Sequence, residues 1–389
     1  MGRVENQRRL FLELIELMRP HWRRDPGLPA RLNAWLAAHR AGSRDRRLYR
    51  ELAYTSWRIL PWIENAPPDE LVAMVATCAH VEPATEAFVA TYRLPALPPS
   101  CDPAQLLPDW LARECPAALE PRQTSALLRR APLWIRLTRA TDAERVRGEL
   151  EANGWSLRPF PELPLAWRLE GTGDVTKTDA YASGCFEVQD LGSQLLLEWV
   201  RPQAGETWLD ACAGAGGKSL QLAGLLGPTG RVHSHDIRDA ALQELERRAA
   251  RAGLNTITIE KNRPPAKAQF DGVLVDAPCT GSGTWRRAPH LKWTTRPESI
   301  ARAAARQNGL LAEFAGYVRP GGRLVYATCS LCGSENEAVI EAFLSGHPEF
   351  SVEQLPPAGG LLPGEAGLVI LPADVDSDAF FVSALRRQD

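Results

Sequence analysis

The stretch Thr207-Trp-Leu-Asp210-Ala211-Cys212-Ala213-Gly214-Ala215-Gly216-Gly217-Lys218-Ser219 reads as a strand ending in a carboxylate, a glycine turn, and an apolar helix. In an open α/β sheet this is where a nucleotide-like ligand is held, because glycines let the backbone come close and the helix start offers free N–H groups. Three ligands compete for it. A dinucleotide fingerprint needs a third glycine at position 219, where the chain has Ser219. A triphosphate loop would end in Gly217-Lys218-Ser219 but begin with glycine at 212, where Cys212 stands. S-adenosylmethionine instead needs close backbone approach along Asp210–Lys218 and an acid at the end of the next strand to accept the ribose hydroxyls. Asp236 closes that strand twenty positions past Gly216, so S-adenosylmethionine is the expected cofactor.

Outward from this loop, the apolar runs Arg231–Ile237, Thr256–Glu260, Phe270–Asp276 and Gly322–Cys329 alternate with helical patterns. Residues 183–389 are therefore expected to form a doubly wound, Rossmann-like α/β sheet, with a late run, Phe380–Leu385, completing an edge. Residues 131–182 change character, with short strands around Leu133–Arg139, Trp155–Phe160 and Leu165–Leu169 and a helix opened by Thr141-x-x-Glu144. They predict a small α+β unit. Residues 1–130 read as all-helical, with Leu32, Trp35 and Leu36 at i, i+3, i+4. This segment closes in a linker carrying Pro95, Pro98, Pro99, Pro103 and Pro108.

A chain of 389 residues with 44% hydrophobic and 24% charged residues is an ordinary globular protein of two or three domains. Its formal charge of −2 excludes a protein-wide positive field, so a polyanion must be met by local basic patches. No apolar run reaches the length of a membrane span, and the N-terminus lacks a secretory layout; a cytoplasmic protein, monomeric and without membrane contact, is expected. Eight cysteines are too sparse for a disulfide framework. Cys329-x-x-Cys332 lacks the second pair or histidine cluster that zinc requires, so no metal is expected. Cys78, Cys101, Cys115, Cys185 and Cys332 are read as having no chemical role.

Two cysteines are different. Phe270–Asp276 delivers Asp276-Ala-Pro-Cys279-Thr-Gly-Ser-Gly283, and Gly322–Cys329 delivers Thr328-Cys329-Ser330. With the usual strand order 3-2-1-4-5 these ends are neighbours over the same crevice as the glycine turn. Two thiols and a carboxylate beside a methyl donor suit methylation at carbon 5 of cytosine. That carbon becomes nucleophilic only after a thiolate adds to carbon 6, helped by a carboxyl group at N3. Between the cysteines lies Trp285-Arg286-Arg287-Ala-Pro-His290-Leu-Lys292-Trp293, whose cations and indoles are expected to hold phosphates and stack an unpaired base. A second basic cluster in the helical region, Arg40, Arg44, Arg46, Arg47 and Arg50, is a further expected RNA contact, with Arg44 and Arg47 foremost, though Asp45 and Glu51 dilute its charge. Ser334-x-x-Glu337 is expected to cap the helix over 334–344 and hold the loop after Cys329.

Asp276-Ala-Pro-Cys279-Thr-Gly-Ser-Gly, Thr328-Cys329-Ser330 with Glu335-Asn336-Glu337, and Gln189-Asp190-Leu-Gly-Ser193-Gln194 together resemble the Sun/Nop family of RNA cytosine-C5 methyltransferases. Arg44-Asp45-Arg46-Arg47-Leu48 and Trp57-Arg58 resemble the NusB-like RNA-binding domain of its bacterial RsmB-like branch. The resemblance implies a ferredoxin-like fold for the small unit and ribosomal RNA as partner. It makes Cys329 the nucleophile, Cys279 the promoter of release, Asp276 the contact to cytosine, and Ala213–Lys218 with Asp236 the cofactor site. It also supports Arg287 and Lys292 as structural or substrate contacts. The chain departs from the family pattern after the third strand, where an acid is usual near the adenine and Glu260-Lys261-Asn262-Arg263-Pro264-Pro265 stands, leaving Asn262 as substitute. Other readings considered are a transfer-RNA target, DNA as substrate, a P-loop nucleotide hydrolase, and an RNA-binding assembly factor without activity.

Overall fold

The computed structural model describes residues 2–264, 269–357 and 359–389, so Pro265 lies outside the described residues. The chain divides into two compact units, Met1–Arg113 with Trp285–Arg296, and Glu114–Thr284 with Pro297–Asp389.

The first unit is helical, built on Arg3–Met18, Leu28–Ala38, Ser43–Arg58, Pro68–Cys78 and Glu86–Tyr92. Phe11, Leu14, Leu32, Trp35, Leu36, Leu48, Leu52 and Phe88 recur at helical spacing and are buried, which is what holds the helices together. The proline-rich stretch is irregular but fastened, with the Trp62 indole donating to the Asp102 carbonyl at 3.1 Å.

Two boundaries differ from the sequence expectation. The helical unit stops at Arg113, not near 130, because Pro121–Leu127 is fixed to the second unit. There Gln123 donates to Asp374 at 2.9 Å and accepts from the Ala373 amide at 2.8 Å. The helical unit also takes in Trp285–Arg296, which sequence spacing assigned to the sheet domain.

The second unit holds two sheets. A four-stranded sheet runs in the order β2-β3-β1-β4, from β1 (Leu133–Leu137), β2 (Ser156–Phe160), β3 (Leu163–Glu170) and β4 (Phe186–Val188). Helix Ala143–Ala152 packs on it through Val146 and Leu150 against Ile135, Trp167 and Phe186. β4 carries this small unit past residue 182, a strand too short to read from sequence.

The large sheet comprises β5 (Thr207–Asp210), β6 (Arg231–His235), β7 (Ile257–Glu260), β8 (Phe270–Asp276), β9 (Val318–Thr328), β10 (Phe350–Val352), β11 (Leu368–Ile370) and β12 (Phe380–Arg387). Its order is β10-β12-β9-β8-β5-β6-β7, with β11 on β12. The first five strands are parallel and give the 3-2-1-4-5 arrangement. β12 is antiparallel and lies between β9 and β10, so Phe380–Leu385 is an interior strand and not an edge. Its inward run of apolar side chains fits that place, since both faces of the sheet are covered. No helix among the described residues is long and apolar enough to cross a membrane.

Candidate active site

The sheet grows from β5 in both directions, through β6 and β7 on one side and β8 and β9 on the other, so the carboxyl ends of β5 and β8 form its switch point. β5 ends in Asp210, fully buried, whose Oδ2 accepts from the Ser219 hydroxyl at 2.6 Å. Burial pushes this carboxyl up to about 7, against the opposing pull of Ser219. The turn beyond it needs glycine at Gly216, where φ is 89° and a Cβ would sit 2.5 Å from the Leu245 side chain. The Gly214 amide donates to Asp236 Oδ2 at 2.8 Å, so the glycine turn and the acid after β6 are tied to one another.

Arg238 closes on the same carboxylate with Nε and Nη2, both at 3.0 Å. Burial works to raise Asp236, but the hydrogen bonds from Arg238 and the Gly214 amide win and hold it below the usual carboxylate range. Arg248, on helix Asp239–Ala252, donates to the Ala215 carbonyl at 2.6 Å and to Glu187 of β4 at 2.9 Å. It links the small sheet to the glycine turn. Asn262 is exposed after β7 and makes no hydrogen bond among the described residues.

β8 and β9 run in register, Asp276 opposite Ala327, so the loops they release lie side by side. The Sγ atoms of Cys279 and Cys329 are 3.5 Å apart. The hydrogen bond with Cys329, then burial, raises the Cys279 thiol well above its ordinary range. Lys218 crosses from the glycine turn and donates to Asp276 Oδ2 at 2.8 Å. Burial opposes its charge, but Asp276 and, more weakly, Cys329 outweigh it and keep the ammonium raised. Gly283 admits the close approach of the two loops: its amide donates to the Cys329 carbonyl at 3.0 Å, and a Cβ there would lie 2.3 Å from the Ala379 carbonyl.

The predicted cap at Ser334 is not formed. Gly333–Glu335 is a 3-10 turn, and helix Glu337–Gly346 starts after Asn336. The Asn336 side chain accepts from Thr328 at 2.6 Å and donates to the Ser330 carbonyl at 3.0 Å, so it still secures the loop of Cys329. Among the described residues no three His, Cys, Asp or Glu side chains are grouped to hold a metal ion.

Residues 197–386 match the model of the 16S rRNA methyltransferase RsmB/F family. Over 293 residues the chain is 33% identical to ribosomal RNA small subunit methyltransferase B of Salmonella arizonae, covering 73% of this chain and 67% of that one. The chain belongs to the RsmB/F methyltransferase family. It is also 37% identical over 237 residues to a probable ribosomal RNA small subunit methyltransferase B of Synechocystis, a match covering 58% of this chain and 53% of that relative. The chain thus spans about half the length of the first curated relatives it matches. Its fold is shared with the crystal structure of PH0851, with a TM-score of 0.72, 23% identity, and 91% and 93% of the two chains covered.

Sequence reasoning and structure part over the basic RsmB/F segment. Lys292 and Trp293, expected to face RNA, are buried within the helical unit, as are Arg286 and His290. The Trp293 indole donates to the Trp57 carbonyl at 2.6 Å, and Lys292 Nζ to the Arg58 carbonyl at 3.1 Å. These are the last carbonyls of helix Ser43–Arg58. The residue four beyond Trp57 is Pro61, which has no N–H to give, so an outside donor is required. Pro61 is the signal by which this role could have been read. Arg287, Arg44 and Arg47 are exposed. Sequence reasoning assigned no role to Arg238, Arg248, Gln307 or the Glu335 carboxylate; the contacts of the last three join distant segments, which spacing does not reveal, whereas Arg238 pairs with Asp236 only two residues before it.

Proposed function

We propose that this chain transfers a methyl group from S-adenosylmethionine to carbon 5 of a cytosine in RNA, with small-subunit ribosomal RNA as substrate, through a covalent bond between Cys329 and carbon 6. The observation that carries the reading is the 3.5 Å approach of the Cys279 and Cys329 thiols beside the Lys218–Asp276 ion pair.

The residues suit the donor. The side-chain-free turn at Gly214 and Gly216 leaves backbone open to close approach, Asp236 offers a carboxylate to ribose hydroxyls, and Asp210 Oδ1 is a buried oxygen without a hydrogen-bond partner among the described residues. Ala213–Lys218 and Asp236 would hold the cofactor. When bound, it supplies an electrophilic methyl group. Asn262 is proposed for the adenine side.

Asp276 serves the cytosine at N3: that ring nitrogen accepts, so the carboxyl must carry a proton on the oxygen that Lys218 does not hold, donate it to N3 as the thiolate adds, and take it back when the ring double bond re-forms. The Cys329 thiolate adds to carbon 6 and pushes its electron pair toward carbon 5, which then takes the methyl group. Loss of the carbon-5 proton to a base re-forms the ring double bond and expels the Cys329 thiolate; Cys279, still protonated, promotes this release. The protein is taken to act as a monomer in the cytoplasm.

The test uses full-length protein, 16S ribosomal RNA and labelled S-adenosylmethionine on a denaturing gel. Cys329→Ala should abolish methylation and form no adduct, whereas Cys279→Ala should accumulate a protein–RNA adduct. An adduct with Cys329→Ala and none with Cys279→Ala reverses the roles, and neither phenotype removes the mechanism. Labelling confined to transfer RNA would change the substrate.

A further inference from the structure

The two thiols sit on loops that leave different strands, and thiol chemistry of this kind needs both placed to well under an ångström. The Ser282 hydroxyl joins the two loops, accepting from the Leu331 amide at 2.8 Å, and one carboxylate grips both. Glu335 is fully buried. Its Oε1 accepts from the Thr280 amide at 2.9 Å and from Gln307 Nε2 at 3.0 Å, and its Oε2 accepts from the Thr280 hydroxyl at 2.5 Å and from the Ser330 hydroxyl at 2.6 Å. Thr280 directly follows Cys279, and Ser330 directly follows Cys329. Gln307, on helix Pro297–Ala315, also donates to the carbonyl of Pro278 at 3.2 Å, so Cys279 is gripped on both sides. The Glu335 backbone is anchored in turn, its carbonyl accepting from the Tyr326 hydroxyl at 2.5 Å.

We propose that Glu335 is the positioning residue of the thiol pair, a single buried carboxylate that fixes the loops of Cys279 and Cys329 against each other and keeps the two sulfurs in unequal roles. The proposal rests on the reading that these cysteines perform the reaction. Four neutral donors satisfy the carboxylate, and no cation is paired with it among the described residues. Its charge is therefore free to act on neighbours. The ionisable groups around Cys279 are Cys329, Glu335 and the Tyr326 hydroxyl, and Glu335 adds to the effects of Cys329 and burial that keep Cys279 protonated. Lys218 and Cys329 act on one another, the charged sulfur favouring the ammonium and the ammonium favouring a thiolate at Cys329. One sulfur is thereby set to attack, and the other is held in reserve as a thiol.

The variant Glu335→Gln keeps the shape, removes the charge and turns one of the two acceptor oxygens into an NH2 donor. With 16S ribosomal RNA as substrate, kcat should fall about 100-fold while KM for S-adenosylmethionine and for RNA stays within about twofold. In a Cys329→Ala background the same change should raise the rate of Cys279 alkylation by iodoacetamide at pH 8 about tenfold and move its midpoint to lower pH. A loosened loop alone would alter the rate at every pH and leave the midpoint where it was. An unmoved midpoint, an unchanged kcat, or a loss confined to KM overturns the proposal. Should Glu335→Gln fail to fold, Thr280→Val removes one of the four donors, and its kcat should drop about tenfold at constant KM; wild-type kcat would count against the proposal. If wild-type protein does not methylate RNA and Cys279→Ala gives no adduct, the proposed reaction is wrong. The alkylation profile still decides whether Glu335 governs Cys279.

Discussion

The loop Asp276–Gly283 and the segment Trp285–Arg296 are neighbours in the chain, and both look in sequence like groups aimed at a substrate. They meet opposite fates. In the loop the polar side chains turn to one another and to the crevice, because a strand end in a parallel sheet must release its chain there. In the segment, Lys292 and Trp293 turn into the helical unit and satisfy carbonyls that Ser43–Arg58 cannot satisfy itself. Topology decides the first case. In the second, an amine and an indole are spent as hydrogen-bond donors on the carboxyl end of a helix, and burial there disfavours the charged form of Lys292.

The largest effect that separates the two regions is on stability. Trp293→Ala should cost about 3–5 kcal/mol, the loss usual for a buried indole, and it leaves the Trp57 carbonyl unpaired as well. Urea unfolding measures it, with Trp293→Phe as the partial loss in which the hydrogen bond and part of the ring go while most of the apolar burial stays. Cys279→Ala should move the same midpoint far less while stopping turnover. A folded, fully stable Trp293→Ala protein with weakened RNA binding would return the segment to the substrate.

Next in size is a pH effect. Burial lowers His290 to about 4, against weaker pulls from the Pro26 backbone and Asp25, and its ring packs edge-on to Trp57 at 5.4 Å. The folded protein therefore keeps this ring neutral while the unfolded chain protonates it near 6.5. The stability that depends on the neutral ring is complete above about pH 6.5 and is lost as pH falls toward 4, by up to roughly 3 kcal/mol. His290→Phe should flatten the fall in urea midpoint between pH 7 and pH 4.5. An equal slope in wild type and variant would mean that His290 titrates in solvent, as a substrate-facing loop requires.

The sheet was legible because its signals are local. β8 and the second half of β9 are apolar runs followed by a turn, β5 carries Trp208 and Leu209 before its acid, and the Asp210–Ser219 and Asp276–Gly283 stretches state what the turns after β5 and β8 carry. With the strand order 3-2-1-4-5, the convergence of Asp236, Lys218, Asp276, Cys279 and Cys329 follows from topology alone. What stayed hidden depends on partners distant in sequence. β4, β10 and β11 are three residues each, too short for a period to show. β12 reads as an edge because nothing in its own residues tells whether β10 lies beyond it. The four bonds of Glu335 come from segments up to 55 positions away. Trp293 is legible only to a reader who first asks what Pro61 denies to Trp57.

The smallest effect tests which basic side chains remain for RNA once Lys292 and Trp293 are withdrawn. Arg44, Arg47 and Arg287 are exposed, and Arg44 spends one nitrogen on the Pro83 carbonyl at 2.8 Å. A guanidinium that neutralises one phosphate releases its condensed counterions, so removing it lowers the salt dependence of binding by about one unit of slope. Arg44→Ala, Arg47→Ala and Arg287→Ala should each show that loss in filter binding to 16S ribosomal RNA across a salt series. Their effect on folding should be within about 0.5 kcal/mol, as expected for exposed positions. Lys292→Met supplies the contrast: burial already holds that ammonium well below its usual range, so it contributes no mobile charge at the surface, and the salt slope should be that of wild type. A Lys292→Met protein that melts normally yet loses a unit of slope, beside three arginine variants that lose none, would mean that the buried segment opens when RNA binds.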